Sequence, residues 1–439
     1  MLDKIKTLHK DAYTGRCYKL LNTPLNWRVL GIVCLMLPLV PPTTEALSAL
    51  FGGTIASVAE RFLTVWRYGS YCFVAVYFLR RLKYVQINRC VSSVLVIGLV
   101  ICLLFSTVRN GGLSLARGFI ELAGVLMLFL LACSLPGEKF SLFVEGAYIW
   151  LTVAMIANSV TMYLYYPNGL YQSGYLAGEN SYYLNPNYYL FGLDNACFMY
   201  SLTGCSMGLI HRCRHGRLGF TLPLVYAFIF GAYFYTSAGT AMAIVACLIA
   251  LVVLVMFNKS DFITYKFVLV IGSIAFVGIC LLNTLGVFED FLSLIGKDAT
   301  FSNRTFIWAA VFQAMNGHQL LGFGLSDAIM HLQLGMASGS LYISNIGHVH
   351  NVLLEIYFRG GYLSAAFFVS LLLGPLRRMT AVSSSKTAQL ASGLLLLLWL
   401  TCMFEFRLNT YTFWLVPICV WHVNDLLSAE AKDGFRHAK

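Results

Sequence analysis

Apolar runs of about twenty residues recur from one end of the chain to the other, joined by short polar segments, and no other feature restricts the fold as strongly. They lie near 27–43, 68–79, 91–107, 114–134, 140–165, 187–210, 218–236, 240–257, 267–287, 351–376, 388–405 and 411–427. The second run is short and the tenth is interrupted by Arg359-Gly360-Gly361, so the count lies between eleven and thirteen. There is too little polar surface to face water all round. Of 439 residues 59% are hydrophobic and 11% charged, with a mean hydropathy of +0.73, where a soluble domain carries about 25% charged residues. The expectation is an all-α polytopic membrane protein with about twelve transmembrane helices, residues 1–439 forming one integral membrane domain. The run Val29 to Val40 is followed by Pro41-Pro42 in place of a small-residue cleavage site, which predicts a retained first span.

The net charge of +11 raises nucleic acid as a partner, but the placement of the cations argues against it. With the N-terminus inside, 22 of the 30 lysines and arginines fall on alternate, inside segments. Among them are Arg80, Arg81, Lys83 and Arg89 before the third span, and Arg377, Arg378 and Lys386 after the tenth. This is the positive-inside pattern, and it predicts cytoplasmic N- and C-termini. Eight cations are left over, on the outer side or at membrane depth: Arg61, Arg67, Arg109, Arg117, Lys297, Arg304, Arg359 and Arg407. Charge at that depth is costly and either pairs or marks a pathway. Arg117 with Glu121, and Glu355 with Arg359, sit four apart and either neutralise each other on one helix face or serve a site. Thirteen cysteines are scattered with no CxxC or Cys/His ligand spacing. No disulfide frame, metal site or cofactor is expected.

Two outer segments are long enough to build a site. An external loop at 166–187 is rich in tyrosine, including Tyr182, and ends in Asn185-Pro186-Asn187; some of these rings serve an interfacial aromatic belt. The second, 288–350, is the longest stretch outside the apolar runs, and a loop of about sixty residues is usually functional and holds short structure of its own.

Within it, Ser302-Asn303-Arg304-Thr305 opens an apolar helical pattern that runs to Met315, with Ser302 or Asn303 as cap. An arginine in the first turn opposes the helix dipole, unless an anion binds where free N–H groups and a guanidinium converge. Downstream stand Leu321-Gly322-Phe323-Gly324, then Gly347-His348-Val349-His350-Asn351, directly before a helix with Leu354, Glu355 and Gly361. A histidine at a helix mouth is a candidate general base.

In order and spacing, Arg304-Thr305 with Trp308, Leu321-Gly322-Phe323-Gly324, His350-Asn351, Leu354-Glu355 and Gly361 resemble the signature region of the bacterial O-antigen polymerase and O-antigen ligase superfamily. Asn185-Pro186-Asn187 before a span is similar to another element of that family. The resemblance implies a GT-C-like helical fold with the large external loop between spans nine and ten. It also implies a metal-independent glycosyltransferase working on the outer face of the bacterial cytoplasmic membrane. The partners it implies are an undecaprenyl-pyrophosphate-linked glycan donor, a glycan acceptor, membrane lipid and a chain-length regulator. Arg304 and His350 would be the catalytic pair, Arg304 holding pyrophosphate and His350 activating the acceptor hydroxyl. The candidate substrate-binding residues are Arg117, Arg359 and Arg407, with His348, Asn351, Glu355, Asn187 and Tyr182.

Two departures favour a repeat-unit polymerase over a ligase. Thr236-Ser237-Ala238-Gly239-Thr240 lacks the arginine the ligase branch carries near the outer end of its seventh or eighth span. The glycine motif also has Ser364 at its fourth position. A transporter of polysaccharide or lipid is the third reading. It requires matching halves and polar residues at mid-membrane; Glu145 and Asp194 are such residues, but the halves do not match.

Overall fold

In the computed structural model, residues 26–84, 87–111, 113–172, 187–214, 220–236, 239–257, 262–282, 304–340, 348–403 and 410–428 are described. The chain is predominantly helical. The first elements are α1 (Trp27–Met36), α2 (Thr44–Phe51), α3 (Gly53–Arg81), α4 (Ile87–Asn110), α5 (Leu115–Ser134) and α6 (Phe140–Tyr165). Three short strands follow, β1 (Tyr171–Gln172), β2 (Asn187–Tyr189) and β3 (Gly192–Leu193), and then α7 (Asp194–Arg214), α8 (Thr221–Tyr235), α9 (Gly239–Phe257) and α10 (Tyr265–Phe276). The remaining helices are α11 (Arg304–Ala314), α12 (Asp327–Ser338), α13 (Val352–Leu373), α14 (Leu376–Ala381), α15 (Lys386–Cys402) and α16 (Leu415–Trp421).

Among the described residues five helices are long and apolar enough to cross a membrane: Gly53–Arg81, Arg89–Asn110, Leu115–Ser134, Phe140–Tyr165 and Val352–Ala381. A sixth span arises if Trp27–Leu39 and Thr44–Phe51, bent by 99°, are one broken segment. Shorter apolar helices cover Thr221–Tyr235, Ala243–Met256, Tyr265–Phe276, Lys386–Cys402 and Tyr411–Trp421. Side-chain caps start many of them, as where Ser114, Thr264 and Ser385 accept from the N–H three residues on, satisfying donors that the helix itself leaves open.

The structure departs from the sequence expectation in three places. The helix that carries the second apolar run, α3, begins not near residue 68 but at Gly53, because helical hydrogen bonding carries through Glu60, Arg61 and Arg67, where hydropathy dips. The first apolar run breaks after Leu39. Pro38, Pro41 and Pro42 cannot donate backbone N–H groups there, and the chain turns into α2, capped by Thr43. The interruption expected at Arg359-Gly360-Gly361 is a kink at Gly361, φ 67° and ψ −165°, within α13. The all-helical expectation also omits the small antiparallel sheet, in which Tyr171 pairs with Tyr188 and Tyr189 with Gly192. The Asn158 side chain accepts from Phe191 N–H at 3.1 Å, Thr161 Oγ1 accepts from Leu190 N–H at 3.3 Å, and Leu190 carbonyl accepts from Thr43 N–H at 3.0 Å. The sheet is thereby fastened onto α6.

α6 lies against α1, α7 and α8, and the main apolar core is continuous from there to α15 and α16. A second, smaller core gathers Trp308, Val311, Phe323, Met330, Val349 and Phe358. It binds α11 and α12 to the beginning of α13.

Helix α4 sets the scale between the two ends of the molecule. Arg89, near its start, pairs with Asp425, and Gly137 N–H donates to the same carboxylate at 3.0 Å. Near its other end, Asn110 Nδ2 donates to the carbonyl of Gly322 at 3.0 Å. At 1.5 Å per residue these points are about 30 Å apart along the helix. The glycine turn therefore stands roughly one hydrocarbon thickness from the arginine cluster.

Candidate active site

The glycine turn and the kink in α13 are a single device. At Gly361 the helix ladder breaks, and the turn Leu321-Gly322-Phe323-Gly324 takes over its bonds. Phe323 N–H donates to Phe358 carbonyl at 2.9 Å and Gly324 N–H to Arg359 carbonyl at 2.7 Å, while Tyr362 N–H donates to Gln319 carbonyl at 2.7 Å. Backbones approach so closely that side chains are excluded. A Cβ on Gly322 would meet Phe358 O at 2.5 Å, one on Gly324 would meet Thr107 Cα at 2.5 Å, and one on Gly361 would overlap the carbonyl of Leu320. All three glycines have positive φ, which is open to glycine without steric cost. On its other side the turn is held by α4. Ser106 donates to Leu321 carbonyl, and Thr107 Oγ1 accepts from Leu325 N–H at 3.0 Å.

Arg359 is the central tie. It is 6% exposed. Its Nε donates to Glu355 Oε1 at 2.5 Å, Nη1 to Leu325 carbonyl at 2.7 Å and Nη2 to Asp327 Oδ1 at 2.9 Å. Glu355, fully buried, uses its other oxygen to accept Val349 N–H at 2.7 Å. Arg359 and its two carboxylates thus join the start of α12, the glycine turn and the histidine turn. Fully engaged buried pairs of this kind fix geometry more than they add stability.

Asn351 caps α13, its Oδ1 accepting from Leu353 and Leu354 N–H at 3.1 Å each. Its Nδ2 reaches Cys280 Sγ at 2.9 Å. Asn351 is fully buried, so it positions the helix mouth. His350 precedes it with φ 61°, the sole non-glycine residue with positive φ among those described. Such a conformation costs about 1–2 kcal/mol for a residue with a Cβ and persists where the surroundings over-determine it. Its ring lies 3.8 Å from that of His348, centroid to centroid. His348 is buried and His350 is partly exposed, so His350 is the imidazole that meets solvent.

Arg304 is brought to this turn through Trp308. The indole Nε1 donates to Val349 carbonyl at 3.1 Å, and Arg304, partly exposed, stands one helical turn earlier, at the first residue of α11. The two residues of the expected catalytic pair are therefore held on adjoining segments of one small core.

The other candidates fall elsewhere. Arg117 is near the start of α5, with its side chain 74% exposed and its Nε 4.0 Å from Glu121. Asn187 pairs in the sheet with Gln172 through the backbone. Tyr182 and Arg407 lie outside the described residues, as do the proposed caps Ser302 and Asn303. Sequence reading missed Ser106, Thr107 and Asn110. Their signal is a polar cluster at the end of an otherwise apolar helix. It also missed Asp327, whose role depends on a partner 32 residues away.

The chain is a mostly helical one with several helices long and apolar enough to cross a membrane, and it holds Arg304 and His350 on adjoining segments beside a glycine-locked helix break. Residues 223–369, a third of the chain, match the family model described as O-Antigen ligase, a similarity that supports the resemblance to the O-antigen polymerase/ligase superfamily. The matched segment runs from within α8 to within α13, with Arg304, the glycine turn, His350 and Gly361 inside it. No curated protein matches the chain.

Proposed function

We propose that the protein is a metal-independent glycosyltransferase that polymerises undecaprenyl-pyrophosphate-linked repeat units into O-antigen or capsular polysaccharide. The observation that carries this reading is the Trp308–Val349 bond, which fastens the Arg304 helix beside the His350 turn. In the proposed step His350 accepts the proton of an acceptor sugar hydroxyl, whose oxygen attacks the anomeric carbon of the donor. The bond from that carbon to pyrophosphate breaks, and undecaprenyl pyrophosphate leaves with the bonding pair. Arg304, at the first residue of α11, stabilises the charge that develops on the leaving group. Arg117 is the proposed second phosphate contact, since its guanidinium is exposed where that of Arg359 is enclosed. Glu355, Asn351 and Arg359 act through the shape of the turn. His348 is assigned to orienting His350.

The same reading gives the chain twelve spans in a GT-C-like arrangement in the bacterial inner membrane, with both termini cytoplasmic and the site on the outer side. The charge pattern of the loops supports it, as does the 30 Å separation of the site from the Arg89 cluster.

A ligase that sends the lipid-linked polymer to lipid A-core is the second reading, favoured by the description of the matching family. The acceptor separates the two. Purified protein given lipid-linked repeat units alone should yield a ladder of lengthened products. No product without lipid A-core, and product with it, would overturn the polymerase reading in favour of the ligase.

A further inference from the structure

Arg67 is a cation at membrane depth that the proposed reaction does not use. Counted back from Arg80, a 30 Å hydrocarbon core is crossed in about twenty residues, which reaches Glu60 and Arg61. Arg67, six residues further in, lies about 9 Å inside that boundary. Helical side chains lean toward the N-terminus, and in α3 this direction leads back to Arg61 and the interface.

Its Nε donates to Pro38 carbonyl at 2.9 Å, an acceptor exposed by the break after α1. Among the described residues no carboxylate lies within ion-pair distance of it. Its neighbours are tyrosines. Tyr71, one turn on, and Tyr411 lie within its electrostatic reach, and Tyr68 is close to both; the rings of Tyr68 and Tyr71 are 6.3 Å apart. Tyr411 hydroxyl donates to Glu121 carbonyl at 3.1 Å. On the same stretch of α3, Phe62, Val65 and Tyr68 are exposed, so the guanidinium borders the face that lipid covers.

An arginine at this depth costs about 2.5–3.5 kcal/mol on insertion scales, and such residues are held by partners or mark a path. A carbonyl and phenolic hydroxyls supply dipoles but no neutralising charge. A guanidinium with phenolic side chains around it and no carboxylate in ion-pair distance among the described residues matches a phosphate group in charge. We propose that Arg67, with Tyr68, Tyr71 and Tyr411, forms a lateral binding site for the phosphate of a membrane lipid, separate from the Arg304–His350 site.

Two lipids carry that chemistry, a polyprenyl phosphate and an anionic phospholipid, and a binding experiment on the purified full-length protein distinguishes them. Native mass spectrometry with undecaprenyl phosphate, phosphatidylglycerol and uncharged diacylglycerol should show binding of a phosphate lipid at least tenfold tighter than that of diacylglycerol. Arg67→Gln should abolish that preference and Arg67→Lys should retain most of it. Selective, Arg67-dependent binding of undecaprenyl phosphate identifies the carrier lipid as occupant; equal binding of both identifies any lipid phosphate. Tyr68→Phe, at an exposed position, should weaken binding severalfold with an unchanged melting temperature. Arg67→Gln protein that folds and binds as wild type overturns the proposal. If Arg67→Gln does not fold, wild-type affinity in Tyr68→Phe overturns it instead. His350→Ala should bind these lipids as wild type does, so the outcome is independent of the glycosyltransferase reading.

Discussion

Trp308 and Val349, 41 positions apart, are joined by one hydrogen bond from indole Nε1 to a backbone carbonyl at 3.1 Å, in a core where both residues are fully buried. Through it the arginine-bearing start of α11 and the left-handed turn at His350 keep a fixed relation. Trp308→Phe retains most of the packing and removes the donor, leaving a buried carbonyl unsatisfied. A destabilisation of about 1–3 kcal/mol is expected, with a fall in kcat of roughly tenfold or more because a small displacement of reacting groups is expensive. Thermal unfolding together with steady-state turnover of lipid-linked repeat units checks both halves.

His350 combines a strained backbone with a proposed proton acceptor, and substitutions separate the two. His350→Gly relieves the strain and should leave the melting temperature unchanged or higher, while lowering turnover by about 10²–10⁴-fold. His350→Ala should lose the same activity but be less stable than the glycine variant by about 1 kcal/mol. Partial recovery of His350→Gly by added imidazole would mark the lost group as a base.

Arg359 is proposed to organise the site without touching substrate. Removing one partner of a buried pair costs about 3–5 kcal/mol, so Arg359→Met should accumulate poorly and unfold early. Glu355→Gln combined with Arg359→Met should recover part of that loss. A well-folded Arg359→Met protein with only a raised KM would instead make Arg359 a substrate ligand.

The glycines of the turn are tested by the smallest possible change. Gly361→Ala places a methyl group against the Leu320 carbonyl in a left-handed conformation, and the folded protein should not accumulate. Gly69→Ala, on α3 with open space around it, should be neutral or stabilising by up to about 1 kcal/mol. Expression and detergent-solution monodispersity of the two variants give the comparison.

Much of this architecture was legible in the chain. The apolar runs fall on helices among the described residues, except where the 187–210 run opens on β2 and β3, and the start of α11 follows from an apolar period that opens at Arg304. The glycine motif was readable as a resemblance, but its physical reason was not. That the turn at Gly322 replaces hydrogen bonds lost at Gly361 requires knowing that two segments forty residues apart share one ladder. The start of α3 was hidden because hydropathy measures the side chains of Glu60, Arg61 and Arg67, whereas helix continuity depends on backbone bonding. The enclosure of Arg359 was half visible: its spacing from Glu355 showed a possible pair, but not Asp327 or the Leu325 carbonyl.

Arg304 and His350 are proposed to act on one substrate as a unit, and a double-mutant cycle on kcat/KM for a lipid-linked repeat unit measures that coupling. Arg304→Gln and His350→Ala should each lower kcat/KM by about 10²–10⁴-fold, and the double variant should be little worse than the poorer single one, as found for groups that work together. Losses that multiply in full would show that the two residues act independently, and wild-type turnover in either single variant would show that it takes no part.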